Sequence, residues 1–224
     1  MLAAGLAEVE GRIAAACDQA GRARGEVTLV TVTKTWPAAD LVLLRELGVR
    51  DVGENKDQEA SAKAAQVDGL RWHFVGQVQS RKARSVASYA DVVHSLDRTR
   101  LADALSAGAG RSERVVEVLV QVSLDGDPAR GGALPADVPG LADHVARLPG
   151  LRLGGVMGVA PRGEDPRQAF ERLATASRAL LSDHPEASAI SAGMSGDLEA
   201  AVGAGATHLR VGTAILGHRP PDLR

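Results

Sequence analysis

Lys34 stands eighth in the stretch VTLVTVTKTWP, which runs from Val27 to Pro37. The seven residues before it read as a strand buried on both faces, and a lysine is a costly residue with which to end one. An amine kept away from water offers its neutral form more readily, and a neutral amine attacks an aldehyde to give a Schiff base. A lysine that snorkels its ammonium to a solvated rim is the plainer alternative. Two later segments suggest a second chemistry. SAGMSGDLEA (191–200) sets Gly193, Ser195 and Gly196 ahead of Asp197, which opens a helix, and RVGTAILG (210–217) sets Gly212 and Thr213 just before the chain turns. Glycines let backbone N–H groups approach a ligand, hydroxyls add donors, and a helix start adds partial positive charge, a combination suited to phosphate. Ordinary turns and caps would use the same residue types. Taken together, the segments describe a site for an aldehyde that carries a phosphate, and pyridoxal 5'-phosphate (PLP) fits that description.

The elements that must bring these segments together follow from the hydrophobic pattern. Leu6, Val9, Ile13 and Cys17 recur at helical spacing, so residues 3–20 read as an amphipathic helix. Strands are expected at 27–34, 49–55, 71–77, 91–96, 115–124, 151–160, 187–194 and 208–215. Helical segments separate nearly all of them, the first opening after Pro37 and the clearest spanning 166–183. Strand–helix alternation implies parallel strands with right-handed crossovers, and eight units point to an α/β fold, a (β/α)8 TIM barrel with an extra N-terminal helix. An open doubly wound sheet would place a glycine-rich loop after its first strand, where this chain has Lys-Thr-Trp-Pro. No linker or composition shift marks a second domain, so 1–224 is expected to be one barrel. In such a barrel the strand C-termini carry the chemistry and the loops after strands seven and eight recurrently bind phosphate. Lys34, Asn55, His94, Ser195, Arg210, Gly212 and Thr213 all fall at or near strand ends on that rim, with His73 inside strand three.

Composition narrows the function classes. Of 224 residues, 45% are apolar and 24% charged, with a formal net charge of −2, so no basic field invites nucleic acid or an anionic membrane. No apolar run approaches the roughly 20 residues of a membrane span, and the N-terminal MLAAGLAEVEGR lacks the basic start of a secretory signal. One cysteine, Cys17, excludes an intrachain disulfide and suits a reducing cytoplasm. Aromatics make up only 2% of the chain, so no aromatic-rich interface is expected and a monomer is. SRKARS (80–85) concentrates Arg81, Lys82 and Arg84 in about the first turn of a helix, where they oppose its dipole. A solvated face explains them, as does a rim that attracts anions.

The motifs VTKTWP, VGENKDQE, WHFVGQVQSRKAR, VHSLD, GGVMGVAP and SAGMSGDLEAAVGAGATHLRVGTAILG, taken in order, resemble the pyridoxal phosphate homeostasis protein family over nearly the whole chain. The resemblance implies the barrel of the alanine racemase N-terminal domain, the fold type III PLP architecture. It implies that Lys34 carries PLP as a Schiff base and that Ser195, Gly212 and Thr213 hold the phosphate, with Met194 lining that loop. It further implies Arg210 as partner of the pyridine nitrogen and Asn55 and His73 as contacts beside the ring. Lys56, Arg81 and the 125–135 loop depart from the family pattern, with Arg130 a candidate to stand in there. A guanidinium disfavours a second positive charge on the ring nitrogen, which weakens the ring as an electron sink. Racemases of this fold add a tyrosine base from a second domain, whereas Tyr89, the single tyrosine here, precedes strand four and should lie at the opposite end of the barrel. The expectation is therefore a non-catalytic PLP carrier and buffer, with PLP-dependent apo-enzymes as candidate recipients. A PLP-dependent racemase and a Schiff-base aldolase without PLP are the alternatives.

Overall fold

The computed structural model describes residues 2–217. It opens with α1 (Leu2–Gln19), which buries Val9, Ile13 and Cys17 as their spacing predicts, together with Ala16, while Leu6 is half-buried. Eight strands follow: β1 (Thr28–Val32), β2 (Asp51–Glu54), β3 (Arg71–Phe74), β4 (Val92–Leu96), β5 (Val116–Gln121), β6 (Leu151–Met157), β7 (Ala189–Ser191) and β8 (His208–Val211). They pair in parallel in chain order, and β8 pairs with β1 from Thr28↔His208 to Thr31↔Val211, which closes the barrel. Between them run α2 (Ala38–Glu46), α3 (Asp57–Ala64), α4 (Ala83–Tyr89), α5 (Thr99–Arg111), α6 (Val138–Ala146), α7 (Pro166–Asp183) and α8 (Leu198–Gly203), and the short α9 (Thr213–Leu216) follows β8.

Local chemistry explains individual boundaries. At the start of α7 the Asp165 side chain accepts from Arg167 N–H at 3.0 Å and Pro166 takes a position whose missing donor costs nothing. The same helix buries Ala169, Phe170, Leu173, Ser177 and Leu180 against the sheet. At Gly155 on β6 the backbone has φ 148°, and a Cβ there would sit 2.0 Å from the Ala189 carbonyl oxygen, so only glycine lets β7 approach this closely.

Two apolar regions divide the interior. The larger lies between strands and helices and takes Val93, Val118, Val120, Val156 and Leu209 from the outward strand faces. The smaller is Val92, Leu119 and Met157, which alternate with those residues and therefore face the lumen. Polar side chains share the lumen with that small cluster, as shown below.

Several strands stop short of their expected ends. β1 ends at Val32, so Lys34 stands in a turn two residues beyond it, and Thr35 takes φ 71°. The 187–194 strand reduces to three residues because Gly193 at φ 88° turns the chain. The 208–215 strand ends at Val211, and Gly212 caps the one-turn α9 instead of continuing the sheet. Lys34, Met194, Ser195 and Gly212 therefore sit beyond the strand ends, while Arg210 stays on β8 and Thr213 opens α9.

Candidate functional site

A cavity of about 430 Å³ opens at the C-terminal ends of the strands. Seven of the candidate residues line it: Lys34, Asn55, Met194, Ser195, Arg210, Gly212 and Thr213. The β1 turn brings Lys34, the exit of β2 brings Asn55, the loop after β7 brings Met194 and Ser195, and β8 with its exit brings the other three. Lys34 and Thr213 are exposed, Asn55, Ser195 and Gly212 are half-buried, and Arg210 is buried. Lys34 is thus freely accessible, not partly dry as its position after a buried strand suggested. Val32, Thr35, Trp36, Val75, Gly76, Val159 and Gly217 complete the wall. Sequence reasoning singled out none of these seven. Val75 and Val159 look like ordinary strand interior, and Gly76 is needed because a Cβ would lie 2.3 Å from the Asn55 carbonyl oxygen.

The loop after β7 is braced from several sides. Met194 N–H donates to Asp197 Oδ1 at 2.6 Å, which holds Gly193–Asp197 in a tight turn. Ala214 N–H donates to Ser195 Oγ at 3.4 Å, so that loop and the start of α9 face each other. From α1, Arg12 donates to the Ser195 carbonyl at 2.9 Å and pairs with Glu199 at 2.8 Å. The extra N-terminal helix therefore helps shape the mouth.

Arg210 reaches into the lumen. Its Nη1 donates to Ser191 Oγ and its Nη2 to the Gly158 carbonyl at 2.9 Å. Ser191 Oγ also meets His94 Nδ1 at 2.8 Å, His94 Nε2 meets His73 Nδ1 at 2.8 Å, and His73 Nε2 meets Asp51 Oδ1 at 2.8 Å. One proton arrangement satisfies this chain with both rings neutral. His73 Nε2–H donates to the carboxylate, His94 Nε2–H donates to His73, and the Ser191 hydroxyl donates to His94 while accepting from Arg210. Burial holds His94 well below the usual imidazole range, reinforced by His73 and Arg210, and so keeps it neutral. Burial also pushes the Arg210 guanidinium down to about 10, opposed by Asp197, which leaves it charged at neutral pH.

His73 requires a correction. It was expected beside a bound ring, but it is absent from the cavity wall and fully enclosed, paired in register with Gly53 and Val92 deep in the lumen. Its side chain faces inward one layer below the mouth, and its two nitrogens are taken by Asp51 and His94. Tyr89 lies in the helical layer, its hydroxyl donating to Asp57 Oδ1 at 3.4 Å, and burial raises its phenol far above the usual range. Among SRKARS, residues 80–82 form a separate 3-10 turn ahead of α4, and Lys82 Nζ lies 3.3 Å from Asp57 Oδ2. Arg130 pairs with Asp125 at 2.8 Å and donates to the Val159 and Ala160 carbonyls, tying the loop after β5 to the exit of β6.

A buried amide oxygen on the half-buried Asn55 tests whether this mouth suits a polar ligand. Among the described residues, Asn55 Oδ1 is buried without a hydrogen-bond partner, a condition rare in finished cores. With an accessible amine, a buried cation and three hydroxyl residues around one cavity, the wall fits a small anionic aldehyde with ring polar groups.

The fold and this arrangement define a barrel of the alanine racemase type: the family model "Alanine racemase, N-terminal domain" matches residues 11–220. The pyridoxal phosphate homeostasis protein of Mycobacterium leprae is 44% identical over 98% of this chain and 92% of its own length. That of Escherichia coli K12 is 40% identical over 97% of each. Among solved structures, PipY of Synechococcus elongatus PCC7942 with PLP bound superposes with a TM-score of 0.84 at 32% identity, covering 97% of this chain and 100% of that one. This chain belongs to the alanine racemase N-terminal-domain family and, within it, to the pyridoxal phosphate homeostasis proteins.

Proposed function

We propose that this protein binds pyridoxal 5'-phosphate at the barrel mouth, attached covalently through Lys34, and serves PLP homeostasis as a carrier and buffer without catalytic turnover. When bound, the cofactor supplies an aldehyde with which an amine condenses, forming a C=N bond and releasing water. Lys34 provides that amine from the exposed β1 turn. Ser195, Gly212 and Thr213, which line the cavity from the β7 loop to the start of α9, would hold the phosphate, with Met194 beside them. Asn55, whose Oδ1 lacks a partner, would contact the ring, and Arg210 would partner the pyridine nitrogen.

The observation that carries the non-catalytic reading is the engagement of Tyr89 with Asp57 in the helical layer, away from the mouth, since racemases of this fold keep an arginine at the ring nitrogen and add a tyrosine base. The setting of Arg210 adds to it. Its hydrogen-bond partners are a serine hydroxyl and a backbone carbonyl, and His94 behind that serine is kept neutral by burial. That cation disfavours a protonated ring nitrogen, so the ring is a weak acceptor of electrons from a substrate carbon. The single tyrosine is engaged in the helical layer, so a second base of that type is not at the mouth. In this reading the protein acts as a cytoplasmic monomer and PLP-dependent apo-enzymes receive its cargo. Among the described residues no helix is long and apolar enough to cross a membrane.

Titration of the purified protein with PLP tests the assignment. A visible absorption band that borohydride removes is expected, and Lys34→Ala should abolish it. Incubation with L-alanine and PLP should yield D-alanine no faster than free PLP does; turnover well above that control would replace the carrier reading with a racemase. A wild-type protein with no band after added PLP would defeat both.

A further inference from the structure

The turn that carries Lys34 rests on a buried ionic cluster outside the cavity wall. Lys63 on α3 contributes an ammonium that is 7% exposed, and Glu54 at the end of β2 a carboxylate that is 1% exposed. Lys63 Nζ donates to Glu54 Oε1 at 2.6 Å, to Glu59 Oε1 at 2.7 Å and to the Thr33 carbonyl at 2.9 Å. Thr33 Oγ1 donates to Glu54 Oε1 at 2.7 Å, and Thr35 N–H donates to Glu59 Oε1. The cluster therefore grips the residue on each side of Lys34 and leaves Lys34 itself free. Thr35 has φ 71°, a left-handed conformation that is an outlier for a β-branched residue. Such a conformation persists only where its surroundings impose it. A buried ion pair is weak evidence for stability, since apolar residues of similar volume commonly serve as well. Its contacts here all converge on one turn.

We propose that Glu54, Lys63 and Glu59 form a clamp that holds the Thr33–Thr35 turn in the conformation that presents the Lys34 amine to the mouth. They are positioning residues for Lys34, acting through the backbone and not through contact with a ligand. The amine's reach depends on where its Cα stands and how the turn aims it, and misplacement by about 1 Å can cost two orders of magnitude in a condensation step. The phosphate-side residues stand on the β7 and β8 exits and are independent of the clamp. This inference rests on the reading of Lys34 as the site of covalent attachment.

The test uses Glu59→Ala, which removes the Thr35 tether at a partly exposed position, with Glu59→Gln as the conservative variant that keeps an acceptor. Lys63→Met combined with Glu54→Gln removes the buried ion pair and leaves only the partly exposed Glu59 carboxylate without its cation. Pyridoxine 5'-phosphate, which has an alcohol in place of the aldehyde, reports on the pocket alone, and borohydride trapping of PLP followed by mass spectrometry reports on Lys34. Glu59→Ala and the double variant should lower the PLP trapping rate about tenfold or more while leaving pyridoxine 5'-phosphate affinity within about twofold, and Glu59→Gln should restore trapping. Hydrogen exchange at the Thr35 amide, which needs no ligand, should quicken about tenfold in Glu59→Ala. Unchanged Thr35 exchange would overturn the clamp, as would unchanged trapping or a parallel loss of both ligands. Should the parent take up no PLP, the Proposed function falls, and Thr35 exchange still decides whether the turn is clamped.

Discussion

Ser191 shows how much a single hydroxyl can hold. It accepts from Arg210 and donates to His94, and so links the mouth cation to the buried imidazoles through hydrogen bonds. Ser191→Ala strands a guanidinium N–H and a ring nitrogen in a closed lumen. The expected loss is about 1–3 kcal/mol of stability, measured as a lower urea midpoint at unchanged slope. PLP affinity should fall with it, because Arg210 loses one of its two tethers. At this scale the sequence was legible in part. Lys34, Arg210 and the Ser195 and Gly212–Thr213 pairs announced themselves by residue type at strand exits, and all line one cavity. His73 did not, because strand alternation tells which face a residue takes but not its depth in the barrel. Lys63 was likewise invisible: on sequence it is one more cation of a polar helix, and its burial depends on β2 and the β1 turn lying beside it.

Elements set the shape of the mouth. All eight strands and their order follow from the apolar runs, yet the strand ends moved inward by one to four residues where the loops carry the site. Gly193 is the clearest case. It sits at φ 88°, and a Cβ there would lie 2.6 Å from the Ala201 Cβ and 2.8 Å from a Leu209 methyl. Gly193→Ala combines a strained backbone with overpacking against α8 and β8, so a loss on the order of 1–3 kcal/mol is expected. It should also displace Met194 and Ser195 and weaken binding of phosphate-bearing ligands more than of pyridoxal, which calorimetry can separate. A glycine in SAGMSG reads as loop chemistry from sequence alone; that it makes the close approach of α8 possible is a property of the packed pair.

At the scale of the whole molecule, the lumen makes the barrel sensitive to acid. Burial keeps His94 well below the usual imidazole range and pushes His208 down to about 4, with His73 and Arg71 adding to the effect and Asp51 opposing it at His208. In the unfolded chain both titrate near the ordinary value of about 6.5. Below that pH the unfolded state takes up protons that the folded state refuses, so stability is full above about 6.5 and falls as the pH drops toward about 4. Chemical denaturation at pH 7 and pH 5 should show a lower midpoint at pH 5, and an equal midpoint would contradict the neutral lumen. The sequence by itself determined the alternation of eight strands with helices, the closed parallel barrel that alternation favours, and the rim on which a lysine, an arginine and two glycine-hydroxyl segments would meet. Those are local matters of periodicity, turn residues and connection handedness. Only the tertiary structure decided which polar residues reach the cavity, which are linked in the lumen, and what holds the lysine turn. Depth, stagger and contacts between residues 20 or more positions apart arise only when the sheet closes, and no local pattern encodes them.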